Sequence, residues 1–376
     1  MQRYTRSVAE LWQHWQPNAK AALHPMVFTT YDDHQRVFAQ LTSLDRDPWA
    51  AAYSAAAAPY EALARKAEEE GDARAAKEHY FHAYGLYRMA RFPTTNSDGK
   101  RAAYRKSQEM YRAALRYLPY AFESVTIPFN GKPKEHDRFI GYFVRAKDDA
   151  AQRPLLILWA GIDTFKEDRT EMWEPVIAAG LSLLLIDMPG TGDAPLKGSE
   201  DAERLWDAVL DWCATRPEID AKRIGVWGGS TGGYWAAKVA HTHRDRLAAA
   251  VVQGGCAHLA FMPEWIEKAQ HGSYAFELAE TLASAFGLAS FDEWVAFSPR
   301  LSLLNQGVLD QPCAPLLLVN GTQDSIFPIE DMHLLLEHGD PKEARFYPVG
   351  HMGYTPDTNP TIIRWLAARL SASSRK

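Results

Sequence analysis

The stretch AKRIGVWGGSTGGYWAAKVA, residues 221–240, packs glycines around one serine, between a short apolar run and an alanine-rich one. Glycine inside a regular element is destabilising, because it gives up more backbone freedom on folding than any other residue. A cluster of glycines is therefore a geometrical demand. Gly228-Gly229-Ser230-Thr231-Gly232 fits G-x-S-x-G, with RIGVW reading as a strand before it and GYWAAKVAHTH as a helix after it. At so sharp a strand-to-helix turn the serine takes a strained left-handed backbone, and side chains two residues to either side would collide with the turn. The hydroxyl is lifted above the sheet, and the following helix points its N-terminus at any negative charge that develops there.

Working outward, the chain from Tyr120 onward alternates short strands with helices. FESVTIPF and RFIGYFVRA, separated by the turn-forming NGKPKEHD, predict an antiparallel start. PLLILWAG, LSLLLIDMPG, RIGVWGG, LAAAVVQGG, PLLLVNG and EARFYPVG follow, several of them continuous apolar runs of the kind found in strands buried on both faces. This alternation predicts an α/β fold, a mostly parallel sheet with helices on both faces, whose chemistry collects at the carboxyl ends of the strands.

A serine hydroxyl needs a base, itself oriented by an acid. PLLLVNGTQDSIFP places Asp324 just after one apolar strand, and EARFYPVGHMGY places His351 just after another. The chain order Ser, Asp, His is that of α/β-hydrolases. In these roles Asp324 holds the imidazole, and His351 takes the serine proton and returns it to the leaving group. Asp310, Asp340, His333 and His338 sit in turn-like or helix-like surroundings that account for them without chemistry, and Asp187 sits among Pro and Gly as a loop-shaping residue. For the oxyanion, the amide of Thr231 is one expected donor and that of Ile162, after PLLILWA, the other. Thr164 and Glu167 read as a T-x-x-E capping box that starts a helix and fixes this loop, with Asp163 as a helix-start acid beside it.

Residues 1–119 read as a separate, helical region and 120–376 as the catalytic domain, with a helical insertion near 256–310. APYEALARKAEEEGDARAAKEHYFHAYGLYRMARFP predicts two helices joined at Gly71-Asp72, and DGKRAAYRKSQEMYRAALRYLP a third. The spacing hints at a tetratricopeptide-like repeat, but two copies are too few for a solenoid, so a helical cap on another domain is preferred. The 376 residues, 47% apolar and 23% charged with a net charge of −6, predict a soluble globular chain; with no basic stripe, no nucleic-acid partner is expected. Cys213, Cys256 and Cys313 stand far apart, the first residues carry no signal-peptide pattern, and no apolar run reaches a membrane span. A cytoplasmic location away from the membrane is the expectation.

Taken together, IDAKRIGVWGGSTGGYWAAKVA, LLLIDMPGTGDAP, AGIDTFKED and AYGLYRMARFP resemble the fermentation/respiration-switch-type esterases of the α/β-hydrolase superfamily, from about residue 50 to the C-terminus. The resemblance implies an N-terminal helical cap over the sheet's carboxyl edge, no metal or organic cofactor, a homodimer, and hydrolysis of small esters or of carbon–carbon bonds beside a ketone. Carbon–carbon cleavage needs an acid that protonates carbon, which directs attention to GGCAHLAFMPEWIEK, where His258, Glu264 and Trp265 are candidate pocket residues together with Asp163. A charged residue on an amphipathic helix is the plainer reading of Glu264. The expected function is a serine hydrolase that cleaves an ester of a small, aromatic molecule through an acyl-enzyme on Ser230. Cleavage of a 1,3-diketone or polyketide-type substrate is the alternative reaction, and a non-catalytic regulatory binding protein on a hydrolase scaffold the alternative class. A prolyl-oligopeptidase-like peptidase is disfavoured, because the upstream region is helical rather than a propeller of strands.

Overall fold

In the computed structural model, residues 5–147, 151–271, 276–340 and 342–372 are described. Eight strands form one sheet: β1 Tyr120–Pro128, β2 Arg138–Ala146, β3 Arg153–Trp159, β4 Ser182–Leu185, β5 Ile219–Gly229, β6 Ala249–Gln253, β7 Leu316–Gly321 and β8 Lys342–Tyr347, in the order β1-β2-β4-β3-β5-β6-β7-β8. Only β2 runs against its neighbours, pairing antiparallel with β1 and β4; every later pair is parallel. The expected antiparallel start and parallel remainder are both present.

The helices are α1 Val8–Ala21, α2 Tyr31–Gln40, α3 Arg46–Glu69, α4 Ala73–Arg91, α5 Asp98–Leu115, α6 Trp173–Ala178, α7 Arg204–Ala214, α8 Thr231–Thr242, α9 Pro263–Ala269, α10 Leu278–Ala285, α11 Phe291–Phe297, α12 Ile329–Glu337 and α13 Thr358–Ala372. Alternate residues of the central strands point to opposite faces. Leu155, Ile157, Val226, Ala250 and Leu318 share a core with Trp206 and Val209 of α7 and Trp235 and Val239 of α8. On the other face Gly225 leaves room for Leu366 and Leu370 of α13, where an added Cβ would lie 3.2–3.5 Å from their methyl groups. Both faces are covered, which is why β3, β4, β6 and β7 are apolar almost without interruption.

The chain forms two compact units. One contains Tyr120–Tyr274 and Leu282–Lys376 and holds the whole sheet; the other contains Tyr4–Pro119 and Ala275–Thr281. Within the second, α3 and α4 are joined at Gly71, whose φ of +77° suits glycine, and Asp72 caps α4 by accepting from the Ala75 amide. Ser97 caps α5 in the same way, accepting from the Lys100 amide.

Candidate active site

The cluster of glycines has a steric cause. β5 ends at Gly229 and α8 starts at Thr231, so Ser230 alone makes the bend, at φ 55° and ψ −128°. A non-glycine residue at positive φ is uncommon and costs free energy, so the surroundings must enforce it. The Ser230 amide donates to the Gln253 carbonyl at 2.8 Å, tying the bend to the end of β6. A Cβ on Gly228 would stand 2.2 Å from the Gly232 carbonyl oxygen, and one on Gly232 would stand 2.2 Å from that of Ala160. No side chain fits at either position. Trp159 Nε1 donates to the Gly232 oxygen at 2.8 Å, which locks the first turn of α8 against β3.

Three side chains expected from separate loops meet at this bend. His351 Nε2 lies 2.9 Å from Ser230 Oγ, and His351 Nδ1 lies 2.7 Å from Asp324 Oδ2. Asp324 follows β7 and is buried. Its Oδ1 accepts from the amides of Ile326 and Phe327 at 2.8 and 3.1 Å, and its Oδ2 also accepts from Asn320 Nδ2 at 2.9 Å. Burial pushes its carboxyl upward, but the charge and hydrogen bond of His351, with the bonds from Asn320 and Ile326, outweigh it and hold the group below its ordinary 3.8. The acid stays ionised, as a group that orients an imidazole and balances its charge must.

Two buried residues that the sequence reading passed over support this chain. Asn320 is one, since its side chain also accepts from Gly321 N–H at 2.8 Å and so cannot swing away from Asp324. Gln253 is the other: its Oε1 accepts from Trp227 Nε1 at 3.1 Å, its Nε2 donates to the Met352 carbonyl at 3.0 Å, and its own carbonyl holds Ser230. It thereby joins the serine turn to the residue after His351, where Met352 sits at φ 69°. A polar residue closing the apolar run LAAAVVQGG was the available signal for Gln253; Asn320 had none beyond its nearness to Asp324.

The loop after β3 comes close to the serine. A Cβ on Gly161 would lie 2.8 Å from Ser230 Cβ and 3.2 Å from its Oγ. Ile162 and Thr231 are both buried, and neither amide donates to an acceptor among the described residues. Two unspent N–H groups flanking a serine are suited to an oxyanion. The expected T-x-x-E capping box does not form here. The segment Lys166–Met172 is a 3-10 helix, and the carboxylate that closes its start is Asp168, whose Oδ2 accepts from Phe165 N–H at 2.8 Å. Glu167 instead turns inward and accepts from the Tyr142 hydroxyl at 3.0 Å, while Thr164 Oγ1 donates to Asp163 at 3.1 Å. One residue of register decides this: the 3-10 turn begins after Phe165, not after Thr164.

Of the remaining candidates, Trp265 is half-buried and donates to the Ile326 carbonyl at 2.9 Å, which places it against the loop that carries Asp324. His258 pairs through Nδ1 with Ser302 Oγ at 2.8 Å. Glu264 is exposed on the first turn of α9, and Asp163 is buried in the loop after β3. The Phe327 ring stands edge-on to His351 with centroids 5.4 Å apart. No helix among the described residues is long and apolar enough to cross a membrane.

Known proteins share this architecture. The 2,6-dihydroxy-pseudo-oxynicotine hydrolase superposes with a TM-score of 0.74 at 21% identity, over 96% of each chain. AbyA5 gives 0.73 at 21% identity, over 98% of this chain and 95% of that one. An esterase of Pyrococcus furiosus, Pf2001, gives 0.52 at 16% identity, over 68% of this chain and 93% of its own. At these identities the likeness establishes the fold, an α/β-hydrolase sheet. In sequence, the Esterase FrsA of Yersinia pestis (strain Pestoides F) and that of Yersinia pseudotuberculosis serotype O:1b (strain IP 31758) are each 26% identical over 277 residues. That match spans 72% of this chain and 65% of the length of these relatives. Residues 48–371 match the family described as Esterase FrsA-like, nearly the whole of the chain from α3 to α13, and the protein belongs to that family.

Proposed function

We propose that the protein is a serine hydrolase that cleaves an ester of a small, aromatic molecule through an acyl-enzyme on Ser230. The observation that carries the reading is the unbroken hydrogen-bonded series Ser230–His351–Asp324 at a strained turn, beside two buried amides without acceptors among the described residues. His351 removes the Ser230 proton as Oγ attacks the carbonyl carbon; the carbonyl oxygen takes the negative charge between the Ile162 and Thr231 amides. Collapse of that intermediate breaks the bond to the leaving group, which takes the proton from His351. Water then attacks the acyl-enzyme by the same route, and Ser230 recovers its proton.

Support for an aromatic substrate comes from Phe327 beside His351 and from Trp265 of α9, which packs against the Asp324 loop. Membership in a family described by its esterase agrees with ester cleavage. The carbon–carbon alternative needs an acid at the substrate carbon, and Glu264, a candidate pocket residue in the stretch searched for it, is exposed on α9. Steady-state assays on aryl and alkyl esters beside aromatic 1,3-diketones separate the reactions. Turnover of esters is expected; turnover of diketones alone would overturn the ester reading while keeping the nucleophile.

A further inference from the structure

Next to the oxyanion loop lies a buried charge cluster that takes no part in the steps above. Lys166 is buried, with its side chain 0% exposed. Its Nζ donates to Asp187 Oδ2 at 2.9 Å and to Asp193 Oδ2 at 2.5 Å, and lies 3.0 Å from Glu167 Oε1. Its backbone amide donates to the other oxygen of Asp187, Oδ1, at 2.8 Å. One residue thus grips both oxygens of one carboxylate, with its main chain and its side chain. Asp187 follows β4 and is held in turn by the Asp193 amide at 2.9 Å. Gly192, at φ +47°, passes so close that a Cβ there would stand 2.1 Å from Asp187 Oδ2. The Tyr142 hydroxyl, from β2, fixes Glu167.

A lone lysine in so dry a place would be expelled or neutralised, so its retention requires the carboxylates around it, and removing one side of such a cluster disturbs what it holds. The site's location suggests what that is. Lys166 is four residues after Ile162, and no regular element lies between the end of β3 and Phe165. The capping box expected between Thr164 and Glu167 is absent; Asp168 closes the turn locally at Phe165, and Lys166, the next residue, ties that end of the loop to Asp187 beyond β4. We infer that Lys166 is a positioning residue that clamps the loop after β3 to Asp187 and so holds the Ile162 amide where the oxyanion develops. The inference rests on the proposed hydrolase reading.

Phosphonylation of Ser230 by a biotinylated fluorophosphonate tests it, because the phosphoryl oxygen of that reaction sits on the same two amides whatever the natural substrate. The full-length wild type and Lys166→Met are compared for the second-order rate of labelling as a function of pH. The rate for the variant should fall about 10- to 100-fold, short of or equal to the loss of a whole oxyanion donor. The pH of half-maximal labelling should stay where it is, since His351 and Asp324 are untouched. An unchanged rate in folded Lys166→Met overturns the inference, as does a shifted pH profile, which would place the effect on the histidine. The double variant Lys166→Met/Asp187→Asn removes the central ion pair together and is assayed if the single variant does not fold; a wild-type labelling rate there overturns the inference too. A wild type that is not labelled at all removes the hydrolase reading and the inference with it, an outcome distinct from the other three.

Discussion

Ser230 is half-buried, strained and bonded through its hydroxyl to His351, so that hydroxyl contributes little to the fold and everything to the proposed chemistry. Ser230→Ala should lower turnover by at least about 10⁴-fold, the scale on which triad serines act in other hydrolases, with the melting temperature unchanged. Asn320 offers a finer test. Asp324 is held below its ordinary value, so its contribution to stability is present above that value and is lost as the pH falls through the folded one. Asn320→Ala removes one of the bonds that hold it down. The variant should be less stable than wild type at neutral pH. The part of the gap that belongs to Asp324 should close as the pH falls below about 4 and on through the folded value, where both states take up the proton. Thermal melts over a pH series measure this, and a gap independent of pH would remove Asn320 from the account of Asp324. Ser230, Asp324 and His351 stood out in the sequence because each follows an apolar strand at a loop of recognisable composition. Asn320 and Gln253 did not. The Gln253 bond to Met352 crosses 99 residues, and Asn320 reaches Asp324 only once the loop has folded back on β7.

At the scale of elements, all eight strands were legible, β3, β4, β6 and β7 as continuous apolar runs buried on both faces, and β1, β2, β5 and β8 as strand-like runs bounded by turn residues. The start of the turn after Phe165 was misplaced, because two overlapping acidic signals, Glu167 and Asp168, compete for one cap and the buried Lys166 claims Glu167. Helices α1 and α2 were not foreseen, although Ser7 with Glu10 and Thr30 with Asp33 both form capping boxes that the text spells out. Asp187 carries a prediction at this level. Burial, opposed by Lys166 and reinforced by the nearby Glu167 and Asp193, raises its carboxyl to about 6. A raised acid binds its proton more tightly in the native state, so its contribution to stability falls as the pH rises from about 4 to about 6. The stability of wild type relative to Asp187→Asn should drop across that window and level off above it; a flat difference contradicts the burial of an ionising group. In the elbow, Gly232→Ala forces a methyl against the Ala160 oxygen at 2.2 Å, and overpacking of this kind costs about 1–3 kcal/mol or more. Loss of stability together with loss of activity is expected from thermal melts and assays of that variant.

For the whole molecule, the division into two units has a specific consequence in the second of them. The chain leaves the sheet-bearing unit, supplies Ala275–Thr281 to the helical one, and returns. Phe276 packs there against Trp15, Trp49 and Phe92, while Glu277 meets Lys100 Nζ at 2.5 Å and Arg46 Nε at 2.9 Å. Lys100 is 0% exposed, and burial pushes its ammonium below the ordinary lysine value despite the neighbouring carboxylate. Glu277→Ala would leave that ammonium buried without its carboxylate, a change worth about 3–5 kcal/mol in comparable buried pairs. A full-length Glu277→Ala protein should therefore melt well below wild type, and Lys100→Met/Glu277→Leu should recover most of the loss. Composition divided the chain near residue 119, but a short return segment inside a later insertion carries no compositional mark and was not legible. The central claim concerns Ser230, and its most direct measurement is fluorophosphonate labelling of the intact protein followed by mass spectrometry of the modified peptide. The account predicts one adduct, on Ser230, absent from Ser230→Ala and strongly reduced in His351→Ala; an unmodified Ser230 in folded protein, or an adduct on another residue, would contradict it.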